Sequence, residues 1–216
     1  MSQFGDFCIS GLGGGVALPV ITFEGTSAIN TGGSSRTFTA VDIGDEASDR
    51  VVVVCTHTAM SAGSCSVSSV TIGGVSATVV SGTNPTSGFN TSIWWAEVPT
   101  GATADIAVVW SASSNCGYIE TYRITGLTSS TPLDGDSVVT TPDLTLTTQD
   151  GGVAIFAATR ATAAAFTWTD AIEDNDVVMD TAYQETCAHI SGTANGTDTA
   201  SVNNTGAYRF SGASWR

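Results

Sequence analysis

The stretch Val51-Val-Val-Val-Cys55, followed by Thr56 and His57, decides the fold. All five residues from 51 to 55 are apolar. In an extended chain successive side chains point to opposite faces, so this strand is apolar on both faces. Such a strand must be covered on both sides, which predicts a central position in a sheet. Asp105-Ile-Ala-Val-Val-Trp110 is a second run of this kind.

The rest of the chain from Pro19 onward is a series of short β-like runs separated by turn residues. Gly73-Gly74 divides two such runs and predicts a two-residue hairpin. Asn84-Pro85 punctuates the chain in the same way. No segment carries the apolar stripe of a long amphipathic helix. The pattern predicts an all-β protein, an antiparallel β-sandwich of jelly-roll-like type.

The composition supports this fold and excludes several classes of protein. The chain of 216 residues has six basic residues, all arginine, against 20 acidic ones, for a net charge of −14. It is 42% hydrophobic, and its polar character comes from 33 Thr and 25 Ser. A chain this apolar is not a disordered acidic tail. A lysine-free chain of this charge also lacks the basic surface that binds nucleic acid or anionic membranes, so neither is an expected partner.

The organisation along the chain predicts an arm followed by a β domain. Residues 1–17 contain a glycine-rich run and no apolar segment of signal-peptide type, so we expect a flexible arm and synthesis in a host cytoplasm. Residues 18–216 form the β-sandwich domain, as one sandwich or as two packed halves divided near residues 126–142. The residues of the arm expected to dock on a neighbouring protein are Phe4, Phe7, Cys8 and Ile9.

The five cysteines form no C-x-x-C pair and have no zinc-finger spacing. Buried free thiols are one interpretation, since cysteine packs as a small apolar residue. A disulfide is the other: Cys55 and Cys65 flank a short Gly/Ser-rich connection and would face each other across a hairpin. Cys8 would then be free for an intermolecular bond.

The two histidines are each preceded by a cysteine at the same spacing, Cys55-x-His57 and Cys187-x-His189. If the two strands adjoined, these four residues could form a Cys₂His₂ zinc site. We prefer the interpretation that these four side chains lie at strand ends and have ordinary hydrogen-bond or packing partners. No nucleophile elbow, phosphate-binding loop or metalloprotease motif is present. We therefore predict no catalytic residue, no metal and no cofactor.

The adjacent residues Trp94 and Trp95 point to opposite faces of a predicted strand. Core packing is the simplest role for both. Exposure of either ring would instead mark a contact with a ligand, such as a glycan, or with another subunit.

About two thirds of the chain resembles a family of β-sandwich proteins encoded by tailed bacteriophages and prophages. The matching segments are Ser35–Thr39, Ala47–Val54, Val70–Thr78, Ala96–Val109, Tyr122–Thr128 and Gly151–Ala158. The resemblance implies a non-enzymatic structural protein located in the virion, most simply a capsid decoration or head-fibre protein attached through its N-terminal arm. It implies the major capsid or tail proteins as partners and a homo-oligomer, with a trimer common among such proteins. The alternative is a tail-associated or carbohydrate-binding module for host recognition.

Overall fold

The structure, a computed structural model, describes residues 18–60, 63–82, 88–203 and 208–216. Within those ranges the chain forms seventeen β-strands and no helix, which confirms the all-β prediction. The described part thus has no helix long and apolar enough to cross a membrane. The strands are β1 Val20–Ile29, β2 Gly33–Asp42, β3 Val51–Ala59, β4 Val67–Ile72, β5 Val75–Ser76, β6 Thr78–Gly82, β7 Phe89–Glu97, β8 Thr103–Ser114, β9 Cys116–Thr125, β10 Asp134–Val138, β11 Asp143–Thr148, β12 Val153–Arg160, β13 Trp168–Thr169, β14 Ile172–Met179, β15 Tyr183–Ser191, β16 Gly196–Val202 and β17 Tyr208–Trp215.

These strands assemble into four antiparallel sheets. Sheet A has the strand order β1-β9-β3-β7-β6, and sheet B has the order β2-β8-β4-β5. Sheet C has the order β10-β17-β12-β15-β14, and sheet D has the order β11-β16-β13. The chain passes from sheets A and B to sheets C and D between Thr125 and Asp134.

The sheets stack in the order B, A, C, D, and a separate apolar layer fills each of the three spaces between them. On β3, Val52 and Val54 pack towards sheet B, in a layer that includes residues from β2, β4 and β8. Val51 and Val53 point the other way and pack against Ile155 of sheet C. A third layer lies between sheets C and D. Because sheet A is covered on both faces, the run of valines in β3 is apolar at every position.

The Gly73-Gly74 hairpin forms as predicted. It joins β4 to β5, with Ile72 directly opposite Val75. The two glycines have φ angles of 58° and 81°. A two-residue turn with positive φ at both central positions fits the twist of the flanking strands, and glycine adopts it without steric cost.

Arg50 fixes the loops at one end of the sandwich formed by sheets A and B. Its side chain is 1% exposed. Its guanidinium donates hydrogen bonds to carbonyl oxygens from two loops, with N–O distances of 2.6 Å to Gly44, 2.7 Å to Gly101 and 2.9 Å to Thr100. Its Nε donates to the carbonyl of Val98 at 2.6 Å. The planar five-donor group of arginine satisfies several carbonyls that would otherwise be buried without partners.

Candidate functional site

The central layer between sheets A and C contains a group of polar side chains among apolar ones. Because side chains alternate along a strand, a polar residue two positions from an inward-facing apolar one also faces inward. His57 follows Cys55 in this way on β3, and β15 places Glu185 and Cys187 on one face. We call His57, Glu120, Thr159, Glu185 and Cys187 the inter-sheet cluster. Every member is 0% exposed.

Strand register brings the cluster together from four strands. Glu120 of β9 lies opposite Cys55 of β3, the residue two positions before His57. In sheet C, Thr159 of β12 lies opposite Glu185 of β15. The face-to-face packing of the two sheets then closes the cluster, since neither sheet supplies all of its members.

His57 is the centre of the cluster. Its Nε2 lies 2.8 Å from Glu120 Oε2 and 3.8 Å from Glu185 Oε2. Its Nδ1 forms a hydrogen bond of 2.6 Å with Thr159 Oγ1. Cys187 Sγ lies 3.6 Å from His57 Nε2 and 3.5 Å from Glu120 Oε2. One nitrogen, one sulfur and one carboxylate oxygen, from His57, Cys187 and Glu120, therefore lie within 4.8 Å of one another, with Glu185 Oε2 beside His57.

Burial controls the protonation of the cluster. Loss of solvation lowers the pKa of His57 to about 4, so its imidazole is neutral at pH 7. The same loss raises the pKa of Glu120 to about 7. Burial, together with the charge of Glu120, raises the pKa of Glu185 well above its ordinary value. Burial also raises the pKa of Cys187, which therefore remains a thiol.

The two carboxyl groups influence each other. A hydrogen bond between them helps raise the pKa of Glu185 and lowers that of Glu120. Asn175 Nδ2 donates to Glu185 Oε1 at 2.8 Å. Neither Glu120 Oε1 nor Glu185 Oε2 has a hydrogen-bond partner among the described residues. An ionised carboxylate oxygen without a donor is costly in a dry core.

A second polar group lies at the rim of the same layer. Asp174 accepts a hydrogen bond of 2.8 Å from the Tyr122 hydroxyl. It also accepts one of 2.7 Å from His189 Nδ1, and the side chain of His189 is 15% exposed. Asp174 thus fixes the ring of His189.

The chemistry open to the inter-sheet cluster is coordination rather than catalysis. An acid, base or nucleophile must come within hydrogen-bond reach of its substrate. No atom of the cluster reaches solvent, and its thiol is not activated. The donor atoms of His57, Glu120 and Cys187 all lie within 4.8 Å of one another, a spacing that a metal ion can bridge.

The structure brings together only part of the histidine and cysteine set singled out in the sequence. His57 and Cys187 meet, with Cys55 beside Cys187, whereas His189 is bonded to Asp174 instead. Glu120 and Glu185 were not among the site residues predicted from the sequence. The signal available was an acidic residue within a run that is otherwise apolar and hydroxylic, as in Tyr118–Tyr122.

The predicted Cys55–Cys65 disulfide is wrong. Both residues carry free thiols. Cys55 lies in the layer between sheets A and C, whereas Cys65 lies in the layer between A and B. The two never face each other, because β3 pairs with β7 and β9 and not with β4.

The two tryptophans have different environments. Trp94 is 6% exposed in the layer between sheets A and B, and its Nε1 donates to Ser92 Oγ at 2.8 Å. It offers no face to a ligand, so the predicted ligand contact is wrong at this position. Trp95 is half-buried and lines a shallow groove with Ser76, Thr78 and Glu97. The predicted attachment residues Phe4, Phe7, Cys8 and Ile9 lie outside the described residues.

Comparison with known proteins identifies no family. No protein-family profile matches the chain, and no curated protein matches it. A solved structure of dimeric latent PorU from Porphyromonas gingivalis is similar with a TM-score of 0.32 and 11% sequence identity. That similarity covers 88% of this chain but 21% of the PorU chain.

Proposed function

We propose that the chain is a non-enzymatic structural protein of a tailed-phage particle, either a capsid decoration or a head-fibre protein. In this proposal the stacked sheets are a rigid block, and residues 1–17 attach the block to the major capsid or tail proteins. The family resemblance in the sequence suggests the particle. The observation that carries the structural role is the complete burial of the inter-sheet cluster, which holds the groups best suited to acid–base or nucleophilic chemistry.

The distribution of charge supports an outward-facing, docked protein. Every arginine is at least partly buried, and Arg36, Arg50, Arg160 and Arg209 are at most 6% exposed. The sequence contains no lysine, so the surface charge comes almost entirely from carboxylates. An acidic exterior keeps free subunits soluble and favours docking on basic patches of a particle.

The test is incorporation into particles. We expect the full chain to co-purify with phage particles through a density gradient, and a chain lacking residues 1–15 to stay in the soluble fraction. A triple variant, Phe4→Ser, Phe7→Ser and Ile9→Ser, should behave like the deletion.

The matched control changes polar positions of the same segment, Ser2→Ala, Gln3→Ala and Ser10→Ala, and should be incorporated normally. Full incorporation of the deleted chain would exclude attachment through the arm. Absence of the full chain from purified particles would exclude the structural role itself.

The groove at Trp95 favours carbohydrate binding as a second candidate function. A partly exposed indole can stack on the apolar face of a sugar, while Thr78 and Glu97 provide hydrogen-bonding groups beside it. On a glycan array, Trp95→Ala should lose all binding, whereas Val79→Ala, which alters an exposed residue of the neighbouring strand β6, should retain it. Failure of the unaltered chain to bind any glycan would rule this candidate out.

A further inference from the structure

We infer that the inter-sheet cluster is a binding site for one zinc ion, held by His57 Nε2, Cys187 Sγ, Glu120 Oε2 and Glu185 Oε2. This inference is independent of the proposed role in a phage particle. It concerns the link between sheets A and C, and it does not depend on what the protein is attached to.

Three of the distances between donor atoms are close to those around a tetrahedral ion. Zinc bonds of 2.0–2.3 Å at tetrahedral angles place ligand atoms about 3.3–3.7 Å apart. Cys187 Sγ lies 3.6 Å from His57 Nε2 and 3.5 Å from Glu120 Oε2, and Glu185 Oε2 lies 3.8 Å from His57 Nε2. The hydrogen-bonded pair His57–Glu120, at 2.8 Å, must open by about 0.5 Å, and the Glu185 carboxyl must move inward, because it lies outside the group of three whose donor atoms are all within 4.8 Å of one another.

The unpartnered carboxylate oxygens are the second, independent observation. Glu120 Oε1 and Glu185 Oε2 are fully buried and have no hydrogen-bond partner among the described residues. Buried charges in proteins are normally paired or bound to a metal. A cation bound by Glu185 Oε2 would give that oxygen a partner, and the thiol of Cys187 and the imidazole of His57 supply further donors beside it.

The neighbouring residues hold the ligands in orientations suited to a metal. In the metal-bound form the His57 proton is on Nδ1, which donates to Thr159 Oγ1 and leaves the Nε2 lone pair to bind the ion. Asn175 holds the far oxygen of Glu185 at 2.8 Å. Hydrogen bonds of this kind, from the second nitrogen of a ligating histidine and to a ligating carboxylate, accompany most protein metal sites.

The bound site has a small net charge. Zinc forms one bond each to nitrogen and sulfur and two to oxygen, the carboxyl groups and the thiol bind as anions, and any protons they carried pass to solvent. Two positive charges then face three negative ones, so the net charge of the site is −1. The thiolate and imidazole favour zinc over calcium or magnesium, which prefer oxygen ligands.

The ion would connect the two halves of the molecule. His57 and Glu120 belong to sheet A, in the first half of the chain, and Cys187 and Glu185 belong to sheet C, in the second. Because the site is completely buried, the ion enters during folding, before sheets A and C pack against each other. The site is therefore a structural one, closed to substrate.

The experiment uses the full chain, unfolded, stripped of metal and refolded under a reducing agent with one equivalent of Co²⁺ or Zn²⁺. After desalting through a chelating column we expect one ion per chain by mass spectrometry. The Co²⁺ form should show a thiolate-to-metal charge-transfer band in the near ultraviolet and the intense visible bands of tetrahedral cobalt. Cys187→Ser should abolish the charge-transfer band, and Glu120→Gln should release the ion to the column.

Cys65→Ser is the matched control, because it removes a buried thiol from a different layer, and it should retain the band and the ion. Circular dichroism shows whether each variant folds. Glu120→Gln keeps the shape of the side chain and replaces a buried carboxyl, so it should fold even if Cys187→Ser does not. Loss of all metal from the unaltered chain, a cobalt spectrum without a thiolate band, or retention of the ion by Glu120→Gln would each overturn the proposal.

Discussion

Replacing Glu120 by Gln in the metal-free protein should stabilise it, by an amount that grows with pH. Burial raises the pKa of this carboxyl from 4.5 to about 7, so the folded chain binds the proton more tightly than the unfolded one. The proton-linked stability is fully present below pH 4.5 and is lost as the pH rises to 7. At 1.36 kcal/mol per tenfold change in proton affinity, the loss is about 3 kcal/mol.

Glutamine avoids this loss because it does not titrate. Its amide oxygen can accept from His57 Nε2–H, and its NH₂ group can donate to Glu185. The pKa of His57, lowered to about 4, has the opposite effect and makes stability rise with pH between about 4 and 6.5. That contribution is present in both proteins, so we compare the difference between them rather than either curve.

The assay is urea unfolding of both chains at several pH values from 4.5 to 8, with a chelator and a reducing agent. We expect equal stability near pH 4.5 and an advantage of about 3 kcal/mol for Glu120→Gln at pH 8. Glu97→Gln, at an exposed position on β7, should change stability by less than about 0.5 kcal/mol at every pH. A difference that does not vary with pH, or a variant less stable at pH 8, would refute this assignment of protons.

Three further predictions concern the fold. Arg50→Lys should destabilise the protein by about 2–4 kcal/mol in urea unfolding, because lysine cannot satisfy all the carbonyls that the guanidinium binds, and unchanged stability would contradict that role. Gly73→Val should lower the melting temperature, because a β-branched residue is strained at a φ of 58°, whereas Ser76→Val on the adjoining strand should not. In a Cys8→Ser chain the four remaining thiols should react with a thiol reagent only after unfolding, since all are buried; rapid reaction of any of them in the native protein would show that its layer opens.

Local pattern was sufficient for the fold class and for strand β3. It was wrong for Asp105–Trp110, which was predicted to be covered on both faces: this part of β8 is buried on one face only, and Val109 on the other face is 37% exposed. The valine run of β3 predicted a strand covered on both faces, and β3 is the middle strand of sheet A, between sheets B and C. Gly73-Gly74 predicted its hairpin because the turn needs only the two residues that form it. Both are properties of a short segment and its own backbone.

The cluster and the cysteine environments depend on contacts between distant strands, which no local pattern contains. Cys55 and Cys65 are close in sequence, but their strands join different sheets, so the predicted bridge fails. In the sequence Glu120 is only a polar residue within a predicted strand. Its partners on sheet C are known only once that sheet is packed over it. The meeting of His57 with Cys187, 130 residues apart, follows from the packing of one sheet on another.

The most direct test of the central claim, that this chain is a structural component of a phage particle, is electron microscopy of particles carrying a labelled copy of the protein. We expect label at regular positions on the outside of the particle, and we expect the label to be lost when residues 1–15 are removed. Purified particles that carry no label, with the protein entirely in the soluble fraction, would contradict it.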